Sequence, residues 1–96
     1  MNLKTIISKL KEQKDFIHQN FGVEKIGIFG SYAKNLQTDK SDIDFYVEFQ
    51  EKSFDNLTGL WNFLEDIYHT NIDIFYKHKN NNPVILSNIQ KEVIFG

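Results

Sequence analysis

The chain contains neither cysteine nor arginine. The first absence removes disulfides, thiol catalysis and zinc–thiolate sites. The second removes bidentate guanidinium clamps, so any cationic grip on phosphate falls to lysine, which accounts for all 11 basic residues. A long apolar run is missing too: nothing approaches the ~20 residues that span a bilayer. The opening Met1-Asn2-Leu3-Lys4 leads into a periodic helix rather than an apolar signal core. With a formal net charge of -2, there is no global basic field for nucleic acid. His18, His69 and His78 are dispersed and form no metal-spaced pair. These absences leave a soluble cytoplasmic protein with no membrane segment and no direct nucleic-acid contact as the expectation.

What is present argues for a packed globule. Of the 96 residues, 41% are hydrophobic and 15% aromatic, which is globular rather than disordered composition. The length suits one domain, residues 1–96, with a single modest core. Leu3, Ile6, Ile7, Leu10, Ile17 and Phe21 recur at helical spacing, with Gly22 as a stop. Lys25–Phe29 reads as a strand ending at Gly30. Ser31–Asn35 reads as one or two helical turns, and Leu36–Ser41 as a polar turn. Asp42–Phe49 alternates and then turns apolar, as a central strand does. A second helix carries Leu57, Leu60, Trp61, Leu64, Ile67 and Tyr68 on one stripe, with Asp55 or Asn56 as its expected N-cap. Asn71–Tyr76 reads as a third strand, Pro83–Gln90 as a last helix and Glu92–Phe95 as an edge strand. The fold class is therefore α/β (α+β): a small mixed sheet of three to four strands with helices packed on it.

Three features can carry chemistry. Gly30-Ser31 sits where a strand gives way to a helix, where unpaired N–H groups and a close backbone approach suit phosphate. Alone, the pair is equally an ordinary tight turn with a serine N-cap. Asp42 and Asp44 lie two apart, so alternation puts both carboxylates on one face and Ile43 and Phe45 on the other. A divalent cation such as magnesium relieves that repulsion, although an isolated Asp-x-Asp also suits a solvated strand edge. Asp73 joins the same face if the third strand lies beside the second; otherwise it is an exposed strand aspartate. Together the features form a constellation for two-metal phosphoryl transfer. In it Asp42 and Asp44 hold metal, Asp73 holds the second ion and helps deprotonate a hydroxyl, and pyrophosphate leaves toward Gly30-Ser31. Tyr32 suits either packing or the nucleotide site. Trp61 and the phenylalanines suit the core, and Lys77 and Lys79 a solvated loop.

Gly30-Ser31-Tyr32-Ala33-Lys34-Asn35 followed by Ser41-Asp42-Ile43-Asp44-Phe45-Tyr46-Val47 resembles the GSxAxG…SDxDxxV signature of minimal nucleotidyltransferases, in the DNA polymerase β-like superfamily. The resemblance spans the whole chain. It implies phosphate binding at Gly30 and Ser31, with Lys34 in the same turn, and metal ligation and catalysis at Asp42, Asp44 and Asp73. It also implies two magnesium ions as cofactor and ATP as substrate. Where the family usually has Arg-Gly, this chain has Lys34-Asn35; lysine keeps the charge and asparagine tolerates left-handed backbone. Stand-alone members commonly serve as antitoxins that attach AMP to a tyrosine of a helical HEPN-type toxin. That implies a HEPN toxin as partner, in a homo- or hetero-oligomer. Two other functions remain open: an antitoxin that neutralises by masking alone, and a nucleotidyltransferase acting on an antibiotic hydroxyl.

Overall fold

The computed structural model describes residues 1–96. Its elements run α1 (Leu3–Phe21), β1 (Val23–Phe29), α2 (Gly30–Ala33), β2 (Ile43–Phe49), α3 (Phe54–Tyr68), β3 (Ile72–Tyr76), α4 (Pro83–Glu92) and β4 (Ile94–Phe95). The four strands form one sheet in the order β3-β2-β1-β4. β1 pairs antiparallel with both β2 and β4, while β2 and β3 run parallel across the α3 crossover. A parallel neighbour needs such a crossover, because a tight hairpin can only reverse the chain.

The helix ends follow from local chemistry. Asn2 caps α1 by accepting from the Thr5 N–H at 3.0 Å, and Gly22 ends it in a left-handed conformation with φ 64°. The cap of α3 is Ser53, not Asp55 or Asn56. The Ser53 Oγ accepts from the Asn56 N–H at 3.0 Å, so the helix begins one turn earlier than the apolar stripe announces. Asn82 caps α4, with Pro83 in its first turn.

One face of the sheet carries the core. Ile43, Phe45 and Val47 of β2 are completely buried with Ile6, Leu10 and Ile17 of α1 and Leu60 and Leu64 of α3. Tyr68 packs there too, and its hydroxyl donates to the Ile6 carbonyl at 2.8 Å, joining α3 to α1. Burial pushes that phenol's pKa well above its usual value. Tyr32 belongs to this core as well, as the packing reading expects. Not every aromatic is inside: Phe16, Phe54 and Phe95 are exposed, against the expectation from composition. Phe16 instead stacks on Phe63 at the outer seam of α1 and α3, with ring centroids 4.9 Å apart.

Candidate active site

The other face of β2 presents Asp44, Tyr46 and Glu48, because side chains alternate along a strand. Backbone register then builds the site. Asp44 stands opposite Asp73 on β3 and opposite Phe29 on β1. The next row on the same face holds Gly27, Tyr46 and Phe75. Two carboxylates separated by 29 positions in sequence thus become direct neighbours. Asp42 is exposed and lies just before β2, outside the ladder. It is still near enough for its charge to be felt at Asp44.

Electrostatics mark the cluster. The Asp44 carboxyl has a raised pKa, first through desolvation, then through repulsion by Asp73 and by Asp42. No cation offsets that repulsion within the chain. The Asp73 Oδ1 accepts from its own neighbour, the Ile74 N–H, at 3.0 Å. No three His, Cys, Asp or Glu side chains converge as a finished metal cage. Magnesium does not require one, since it commonly takes one or two carboxylates and completes its shell with water and substrate phosphate.

Gly30 is indispensable to this geometry for two reasons. Its φ of 75° is left-handed, and a Cβ there would collide with the Asp44 carboxylate. The Gly30-Ser31 turn and the Asp44 carboxylate are therefore in contact. α2 is a single turn, so the unpaired N–H groups of its start matter more than any macrodipole. Its end is a Schellman motif: the Leu36 N–H bonds to the Ser31 carbonyl at 2.9 Å and the Asn35 N–H to the Tyr32 carbonyl at 3.3 Å. Asn35 occupies the left-handed position with φ 58°, where the signature usually has glycine. Lys34 stands just before it, and its ammonium lies 3.0 Å from Glu92 at the end of α4.

Sequence reasoning missed the aromatic and polar surroundings. The Phe29 and Phe75 rings meet edge to face, with centroids 6.3 Å apart, Phe29 in the row of Asp44 and Phe75 in the next. Tyr46 is completely buried on this face, its hydroxyl donating to Glu48 at 2.9 Å and accepting from Gln90 at 3.0 Å. Its pKa is pushed up to about 12, mainly by burial. Neither Glu92 nor Gln90 carries a signal in sequence, because each meets a partner more than 40 positions away. The largest groove, about 580 Å³, also lies off the carboxylates, between Glu48, Lys77, His78, Lys79 and Leu86. The charge cluster is the better guide to chemistry, since an open surface site leaves no cavity until its ligands close it.

A family model described as polymerase beta nucleotidyltransferase matches residues 8–96. The chain belongs to the polymerase beta nucleotidyltransferase family. As a member of that family it is a nucleotidyltransferase. "Putative protein adenylyltransferase MJ0126" from Methanocaldococcus jannaschii is 34% identical over 97% of this chain and 96% of its own length. "Protein adenylyltransferase MntA" from Thermococcus cleftensis is 30% identical over 99% of this chain and 96% of its own. A solved "putative minimal nucleotidyltransferase" superimposes with a TM-score of 0.83 at 23% identity, covering 98% of this chain and 95% of that one. A chain of the toxin–antitoxin MntA-HpeT mutant gives 0.67 at 18% identity, covering 99% and 72%. At those identities the two structures speak for the family's fold. No helix is long and apolar enough to cross a membrane.

Proposed function

We propose that this nucleotidyltransferase moves AMP from ATP onto a hydroxyl of a protein partner, a tyrosine of a HEPN-type toxin, and so acts as an antitoxin. The observation that carries this is the register of Asp44 against Asp73, with Gly30 touching Asp44. It gathers three strands' worth of phosphate and metal chemistry at one end of the sheet. The names of the relatives support a protein acceptor, and the toxin–antitoxin likeness supports a toxin as that protein.

The donor set fits magnesium: three crowded carboxylates, one with a raised pKa, lack a countercharge. Asp42, Asp44 and Asp73 would hold the metal. Bound there, the metal supplies charge neutralisation on the phosphates and a more acidic acceptor hydroxyl. The backbone N–H groups at Gly30 and Ser31, and the Ser31 hydroxyl, bind the β- and γ-phosphates and fix the α-phosphorus over Asp44. Lys34 adds one positive charge at the same turn. Asp73 accepts the acceptor's proton as its oxygen forms a bond to the α-phosphorus. The bond to pyrophosphate breaks on the opposite side, and pyrophosphate departs along the Gly30-Ser31 turn.

Incubation of the purified protein with labelled ATP, magnesium and the candidate toxin tests the reading. Label on a toxin tyrosine, lost in the Asp42→Asn/Asp44→Asn variant, is the expected result. Toxin that stays unlabelled, yet is neutralised equally well by that folded variant, points instead to neutralisation by masking.

A further inference from the structure

The polar tie between α2 and α4 lies beside the phosphate turn. α4 has no buried residue, and Val84 and Ile85 are 68% and 53% exposed. Two side-chain ties hold its last turns to the rest: Gln90 to the Tyr46 hydroxyl, and Glu92 to Lys34. The second is the looser kind, an ion pair with both partners substantially in water. Such pairs are weak and exchange readily for a better partner. Lys34 itself does not wander, since the Schellman motif fixes its backbone about one helical turn, ~6 Å, from Gly30.

We infer that Glu92 is a positioning residue that competes with the nucleotide for Lys34. In the free protein the Glu92 carboxylate holds the ammonium ready beside the phosphate turn. An arriving triphosphate carries several negative charges against that single carboxylate, and it draws Lys34 away. One of the two ties is then lost, and α4 loosens against the carboxylate face as nucleotide binds. The inference rests on the reading of Gly30-Ser31 as the phosphate turn. It adds what that reading lacks: a link between nucleotide occupancy and the helix flanking the site.

The test uses the purified full chain with magnesium and a non-hydrolysable ATP analogue, reading affinity by calorimetry and α4 protection by amide hydrogen exchange. In the wild type, the analogue should speed exchange across 86–92. Glu92→Gln should bind the analogue about two- to fivefold more tightly, the range a surface ion pair allows. Its α4 should exchange without ligand as fast as the wild type does with it. The swap Lys34→Glu/Glu92→Lys should restore α4 protection but weaken analogue binding, and the analogue should no longer speed exchange. A merely structural ion pair would give the protection result alone. Unchanged affinity in Glu92→Gln, or α4 exchange indifferent to the analogue in the wild type, overturns the inference while leaving the phosphate turn intact. Failure of the wild type to bind any triphosphate removes the phosphate-turn reading, and this inference with it.

Discussion

β2 has two sides that follow opposite rules. Ile43, Phe45 and Val47 face α1 and α3 with no exposed surface at all. Asp44 and Glu48, one position out of phase, face the thinly covered side. The first side gains free energy from being dry. The second holds like charges together at a cost, which is tolerable because the first side keeps the strand in place. Tyr46 apart, which is buried on the second side, packing and the candidate site thus fall on alternate residues of one strand, and single substitutions should separate them.

The largest separation is expected at Asp44. Asp44→Asn should lower nucleotide transfer at least about a thousandfold, the scale for losing a central transition-state contact, with no fall in melting temperature. A transfer assay paired with thermal unfolding checks both halves; a variant that melts lower would show Asp44 to be structural. Phe45→Ala, its immediate neighbour, should do the reverse. It should cost about 3–5 kcal/mol of stability in denaturant titrations, while the fraction still folded keeps its affinity for nucleotide.

Gly30→Ala tests the contact between the turn and the carboxylate pair. The new methyl group would push Asp44 aside, and transfer should fall about a hundredfold, the scale for an ångström of misplacement. Calorimetric titration with magnesium should show weakened metal affinity as well.

The smallest effect is on pH dependence without metal. The Asp44 pKa is raised on folding, by desolvation and then by Asp73 and Asp42. Its contribution to stability is therefore fully present below the unfolded carboxylate range and is lost as pH rises through the folded value. Metal-free wild type should lose melting temperature over that rise relative to Asp44→Asn. Saturating magnesium should cancel the difference. A metal-free profile identical in the two proteins would mean that Asp44 is neither desolvated nor repelled by its neighbours.

Local pattern made much of this legible in advance. The alternation over 42–49 separated the two sides of β2, and Gly22, Pro83 and the helical stripes placed the helices within a few residues. The spacing of Gly30-Ser31 and Asp42/Asp44 marked the candidate site. Asp73 was legible only conditionally, as a third carboxylate if its strand lay beside β2, because the parallel pairing with Asp44 is set by how α3 crosses the sheet. The α3 cap was misplaced because Ser53, Asp55 and Asn56 all cap helices well, and only the fold chooses among them. Tyr32 and the exposed Phe16, Phe54 and Phe95 were indistinguishable by composition. Lys34 meets Glu92, 58 positions on, and no periodicity reports such a contact.

The parallel register of β2 and β3 also bears on how the molecule comes together. When β3 zips onto β2, it drives Asp73 against Asp44, so this strand pairing works against its own charge. A divalent cation turns that opposition into attraction. Magnesium should therefore hasten that pairing and slow its opening, and the ion proposed for turnover would double as a chaperone for β3.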